Sequence, residues 1–239
     1  GLVGNPSDGY YGKTLAATIR NFRAEVSLEE SPELEIVPNE RDISRFESVQ
    51  ALVRDVHLHG YYGGVRLLKA AIKRFADYCA EHGICLPHRN FTIRYHTTIP
   101  RLVGLAGSSA IITAAMRALM QFYQVQIPRE VLPSLVLAAE TEELGIQAGL
   151  QDRVAQVYEG LVYMDFDRKL METTGHGRYE PMDPALLPPL YVAYDVNRAK
   201  PTERPHSKLR VLYDRGDRQV IETMAEIAEL ARQAREALL

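Results

Sequence analysis

The chain has 239 residues, 46% of them hydrophobic, and a formal net charge of −3. That is enough apolar material for one large or two modest packed domains, and without a basic excess there is no footprint of a nucleic-acid binder. No apolar run approaches the ~18 residues of a membrane span and no signal peptide opens the chain, so a soluble, cytoplasmic protein is expected, with neither nucleic acid nor membrane as partner.

Residues 1–28 read as a strand, a glycine-rich loop and a strand-like stretch from Thr14 to Leu28. Leu34 to Val37 reads as a short strand. Phe46, Val49, Val53 and Val56 recur at helical spacing and predict a helix from Ile43 to Leu58. Tyr61-Tyr62-Gly63-Gly64 breaks it, as a turn, a lid or a base-stacking platform. A second helix runs from Val65 to Glu81 and closes at Gly83. Phe91 to Thr97 alternates as a strand. A glycine loop then leads into a helix from Ser108 to Tyr123 with an apolar stripe of Ile111, Ile112, Ala115, Leu119 and Phe122. Pro128 starts a helix reaching Leu144, and Asp152 to Tyr158 forms a short one. Leu161 to Phe166 and Leu190 to Asp195 read as strands, 197–208 as a mobile loop, and Val220 to Leu239 as an amphipathic helix. Mixed elements without strict alternation favour α+β. The opening Gly1-Leu2-Val3 and the uncapped Ala-Leu-Leu end give the expectation of a chain truncated at both ends.

Three stretches carry candidate chemistry. Pro100 to Ala110 places Gly104 and Gly107 before Ser108 and Ser109 at a helix start, where backbone N–H groups and the helix dipole favour an anion; a plain capping turn is the alternative. The loop is neither a Walker A motif nor the dinucleotide fingerprint. Gly4 to Lys13 packs turn residues around Asp8 and Lys13, as a sugar-binding loop or as a surface turn. In the third, Glu140, Glu142 and Glu143 end one helix and Asp152 opens the next, so that carboxylates can converge on a cation or a reacting hydroxyl. Asp152 also fits an N-cap, and Arg153 either orients it or makes a surface ion pair. Cys79 and Cys85 have too few companions for zinc and read as free thiols, and His57-x-His59 lacks a third ligand.

Together these stretches resemble the galactokinase–homoserine kinase–mevalonate kinase–phosphomevalonate kinase (GHMP) superfamily. Pro100 to Ala110 is similar to its phosphate-loop motif, and Gly4, Asp8, Gly12 and Lys13 to its first motif. Gly-Asn-Pro-Ser-Asp (4–8), Gly-Tyr-Tyr-Gly-Gly-Val-Arg-Leu-Leu (60–68) and Ala-Gly-Leu-Gln-Asp-Arg-Val-Ala-Gln-Val-Tyr (148–158) resemble the plant-type glucuronokinase subgroup. The resemblance implies a two-domain GHMP fold: an N-terminal domain like domain 2 of ribosomal protein S5 over 1–165, and the beginning of a C-terminal α/β domain over 166–239. It implies ATP-dependent phosphorylation of the anomeric hydroxyl of D-glucuronate. Another sugar (galacturonate, arabinose, galactose) or a silent nucleotide- or sugar-binding module stays open beside it. Gly104, Leu105, Ala106, Gly107, Ser108, Ser109 and Ala110 would wrap the ATP phosphates, with Ser109 and Glu140 on Mg2+ and Glu142 or Glu143 as alternatives to Glu140. Asp152, Lys13 and Arg153 would be catalytic, and Asn5, Asp8 and Tyr11 would hold the sugar. The uronate carboxylate would be met by one of Arg20, Arg23, Arg94 or Arg153. Ala106 makes the loop one residue longer than the common spacing, and the family's third glycine motif is absent.

Overall fold

The structure is a computed structural model that describes the chain except residues 41, 43–46, 60–62, 102 and 196–202, with backbone alone at 55–59 and 203–208. The Tyr61-Tyr62 turn, the start of the first predicted helix, the side chains of His57 and His59, and the first half of the predicted 197–208 loop therefore lie outside the described residues.

The strand-like stretch from Thr14 divides in two. Lys13–Ala17 is β1 and Ala24–Ser31 is β2, and they belong to different sheets. β3 is Glu35–Ile36, followed by α1 (Val49–His59), α2 (Gly64–Glu81) and β4 (Asn90–Thr97). α3 (Gly107–Tyr123), α4 (Leu132–Thr141), α5 (Gln151–Tyr158) and β5 (Leu161–Asp165) follow, and then α6 (Arg168–Thr174), β6 (Arg178–Met182), α7 (Glu203–Asp214) and α8 (Arg218–Leu238). α4 is shorter than the predicted helix from Pro128, because residues 129–131 form a turn before it. Residues 203–208 open α7 rather than extending a loop.

The fold is α+β with two three-stranded sheets, ordered β1-β5-β6 and β2-β4-β3. β2 runs antiparallel to β4 from Ala24↔Thr97 to Ser31↔Asn90, and β3 joins β4 in parallel. β5 runs antiparallel to both neighbours, with Lys13 opposite Asp165. The strand expected at Leu190–Asp195 is absent. That segment is apolar but exposed, and it joins neither sheet, so its backbone lacks the ladder that defines a strand. Its Tyr194 instead meets Phe22 edge-on at 5.7 Å.

α3 is the hub. Its Ile111, Ile112, Ala115, Met116 and Leu119 are buried against Leu67, Leu68 and Phe75 of α2, Phe91 and Ile93 of β4, and Leu135 and Val136 of α4. Phe122, read as part of that stripe, is half-buried, with the Arg89 guanidinium 4.5 Å over its ring. Period-two alternation sends alternate residues of β1 to opposite faces. Ala16 packs with Val154 of α5, while Leu15 packs with Ala234 and Leu238 of α8. The first sheet is thus held between α5 and α8, and α5 stands beside α3. That placement brings the start of α5 toward the loop that precedes α3.

Candidate active site

Gly104 and Ala106 both take left-handed backbone conformations, with φ of 77° and 55°. Glycine adopts this freely and alanine under strain, so the turn at Ala106 needs support from its surroundings. Ala106 is the N-cap of α3, and Gly107, Ser108 and Ser109 fill the first turn. Helix geometry leaves their N–H groups without intrahelical acceptors, which makes this end a ready cradle for phosphate. Ser109 is fully buried and donates to the Ala106 carbonyl at 3.0 Å.

Ser108 faces elsewhere. Its hydroxyl donates to Glu140 Oε1 at 2.6 Å, and Glu140 is wholly buried at the end of α4. The other carboxylate oxygen, Oε2, accepts from Arg153 Nε at 2.7 Å and from the same guanidinium's Nη2. Arg153 is itself 6% exposed, and its Nη1 donates to the Gly149 carbonyl at 3.0 Å. The serine brought to Glu140 is therefore Ser108 and not Ser109, and Arg153 spends its donors on Glu140 rather than on solvent. Glu142 and Glu143, the alternatives to Glu140, point away into ion pairs with Arg74 (3.3 Å) and Lys73 (2.9 Å) of α2. Glu140 and the loop serines are oxygen donors of the kind magnesium takes, one carboxylate beside a phosphate cradle. Among the described residues, no group of three or more His, Cys, Asp or Glu forms a closed metal cage.

Asp152 lies in the first turn of α5, but the N-cap there is Leu150, so the carboxylate is not spent on capping. It stands 3.6 Å from Arg153 Nη1 and is partly exposed. Asp8 reaches the same place from the other side: its Oδ2 accepts the Gln151 backbone N–H at 3.1 Å. Burial pushes the Asp8 carboxyl up from the ordinary range; the Gln151 N–H opposes that shift, and the neighbouring Asp152 charge adds to it. Gly149 makes the approach possible, since a Cβ there would stand 2.1 Å from Asp8 Oδ2. Gln151 is 2% exposed, and its Oε1 is buried without a hydrogen-bond partner among the described residues. A cleft of about 260 Å³ is lined by Ala16, Ile99, Gly104, Ala106, Asp152 and Gln156, among others. The glycine loop and Asp152 thus line one space.

Other expected residues stand apart. Lys13 shares the α8 face of β1 with Leu15, and its ammonium pairs with Asp165 across the strand register. The structure does not bring it to Asp152. Tyr11 stacks under the Arg168 guanidinium at 4.5 Å, and Asn5 is exposed. Among the arginines considered for a substrate carboxylate, Arg23 pairs with Glu25 and Arg94 with Glu29, Arg20 is exposed, and Arg153 is held by Glu140. Arg23 also lines the cleft.

Sequence reasoning missed Gln156 and Thr113. Gln156 Nε2 donates to the Ala106 carbonyl at 2.9 Å and to Ser109 Oγ at 3.0 Å, and its Oε1 accepts from Thr113 Oγ1 at 3.2 Å. The available signal was spacing alone: Gln156 follows Asp152 by one helical turn, and both then share a face.

Comparison with known proteins bears on the family and the fold. Residues 66–160 match the profile of the GHMP kinases N terminal domain. The chain is 49% identical to Glucuronokinase 1 of Arabidopsis thaliana and 51% identical to Probable glucuronokinase 2 of the same plant. Both alignments cover 100% of this chain and 66% of the relative, so the chain spans just under two thirds of the length of these relatives. Among solved structures, a Lactococcus lactis galactokinase complexed with galactose superposes with a TM-score of 0.63 at 13% identity, over 99% of this chain and 67% of that one. A D-glycero-D-manno-heptose 1-phosphate kinase from Bacteriodes thetaiotaomicron gives 0.56 at 22% identity, over 77% of this chain and 57% of that one. At such identities the likeness is one of fold. Family profile, relatives and fold agree: residues 66–160 match the GHMP kinases N terminal domain, and the whole chain is similar to the two glucuronokinases.

Proposed function

We propose that the protein is an ATP-dependent sugar kinase that phosphorylates the anomeric hydroxyl of D-glucuronate. The observation that carries a transfer reaction is the shared cleft: Asp152 and the loop before α3 line one space. The choice of a uronic acid is supported by the names of the relatives 49% and 51% identical to this chain.

In this reading the anomeric oxygen attacks the γ-phosphorus of ATP, the bond from that phosphorus to the β,γ-bridging oxygen breaks, and ADP leaves. Asp152 accepts the hydroxyl proton or orients the hydroxyl for attack, and Asp8 holds the sugar beside it. The N–H groups of Gly107, Ser108 and Ser109, with the dipole of α3, stabilise charge on the moving group. Glu140 and a loop serine would hold Mg2+, which supplies charge neutralisation on the phosphates. Arg153 fixes the Glu140 carboxylate. Most of the catalysis is positioning, which suits a site whose polar groups are locked before substrate arrives. Residues 1–165 would form the N-terminal kinase domain. Residues 166–239 would begin the C-terminal one, although β6 completes the first sheet and α8 packs on it. We place the protein in the cytoplasm, where ATP and free thiols such as Cys79 and Cys85 coexist; no helix among the described residues is long and apolar enough to cross a membrane.

The test is phosphorus NMR on the protein supplied with Mg-ATP and D-glucuronate. A new phosphate signal split by the anomeric proton is the expected result. ATP hydrolysis without a sugar phosphate would overturn glucuronate as acceptor, and a product from galacturonate, arabinose or galactose would name the replacement.

A further inference from the structure

We propose that Gln156 is a positioning residue of the transfer site, whose carboxamide holds the phosphate loop in register with the helix that carries Asp152. Only the kinetic arm of the test rests on the kinase reading.

The hydrogen-bond inventory carries the argument. A primary amide has two N–H donors and one carbonyl acceptor. Both Gln156 donors go to the loop and the start of α3, at the Ala106 carbonyl and Ser109 Oγ, and the carbonyl takes the Thr113 hydroxyl. The Ala106 carbonyl only accepts, so the amide orientation follows from chemistry. With both donors and one carbonyl lone pair spent on protein, Gln156 acts mainly through what it holds.

What it holds is the strained part of the loop. The Ala106 carbonyl receives three donors: the Ala110 N–H at 3.1 Å, the Ser109 hydroxyl and Gln156 Nε2. The first two come from α3 itself and move with it. Gln156 is the donor from outside, and it over-determines a left-handed residue that would otherwise relax. It also disposes of Ser109. That hydroxyl gives its hydrogen to Ala106 and one lone pair to Gln156, which leaves one lone pair in a fixed direction. The brace starts one turn from Asp152 on the same helix face, so acceptor carboxylate and phosphate cradle move as one body. A displacement of about 1 Å between reacting groups costs on the order of a hundredfold in rate.

Two variants test this: Gln156→Leu, which removes all three bonds at similar volume, and Gln156→Glu, which keeps the acceptor for Thr113 and sets a carboxylate against the Ala106 carbonyl. Amide hydrogen exchange is read over 104–110 and, as a control, over β4; kcat and both KM values are read with Mg-ATP and the sugar. Both variants are expected to speed exchange in 104–110 by about tenfold or more with β4 unchanged. The kcat should fall by about tenfold to a hundredfold with the sugar KM unmoved. Unchanged exchange in 104–110 for Gln156→Glu overturns the proposal, whatever the activity. Exchange that rises equally in β4 also overturns it, because Gln156 would then be ordinary packing. If the wild-type protein makes no sugar phosphate, the kinase reading fails and the exchange measurement still decides this one.

Discussion

The end of α4 presents acidic side chains to two opposite environments. On one side Glu140 is wholly buried, with one oxygen on Ser108 and the other on Arg153. On the other side Glu142 and Glu143 meet Arg74 and Lys73, each pair with one exposed partner: the Glu142 side chain is 63% exposed against 17% for Arg74, and Lys73 59% against 18% for Glu143. The same residue type therefore does different work. Near water an ion pair is worth little, since solvent screens it and holding two long side chains costs entropy. In the interior each charge has lost its hydration and depends on its partner, so the arrangement is rigid and intolerant of partial loss. A transfer site needs the second kind of carboxylate.

The largest expected effect is at Arg153. Arg153→Met should cost about 3–5 kcal/mol in denaturant unfolding, because it strands a buried carboxylate. Adding Glu140→Leu to it should restore much of that loss, and a double variant no better than the single one would break the contrast. Next comes Ser108→Ala, which removes the donor to Glu140 Oε1 and should cost roughly 1–3 kcal/mol by the same measurement.

A smaller effect appears only with pH. Burial raises the Asp8 carboxyl, so the folded state binds its proton more tightly than the unfolded chain does. The stability this group contributes is full below its ordinary pKa and is lost as pH rises to the raised value. Asp8→Asn cannot ionise, so its stability relative to wild type should climb through that window and then level off. A constant difference across the window would mean that Asp8 is not desolvated in the fold. The smallest effect belongs to the outer pairs. Lys73→Ala should leave the denaturation midpoint nearly unmoved, and the difference should shrink further at about 1 M salt, where the screening length is near 3 Å.

Local signals made α3, α5, β4 and β5 legible, because each carries a clear period, a proline or a glycine boundary. β6 was not legible: Arg-Tyr-Glu-Pro-Met is a strand only because β5 offers it an edge. Leu190–Asp195 erred in the opposite direction, having strand composition and no partner. At the site, the loop and Asp152 could be read from motif and position. The choice among Glu140, Glu142 and Glu143 could not, because it depends on which face of α4 meets Arg153 and which meets α2. Lys13 was partly readable: it is in phase with Leu15 along β1, and strand alternation sends both to the α8 face.

Gly149 has a consequence for engineering. Its bare backbone lies where a single methyl group would collide with the Asp8 carboxylate, whose tip is the mobile party in that collision. Alanine there would leave the helices and the phosphate loop intact and push Asp8 aside. If the proposed kinase activity holds, changing its acceptor meets a narrow gate at this position, where the smallest enlargement of a side chain displaces the group proposed to hold the sugar.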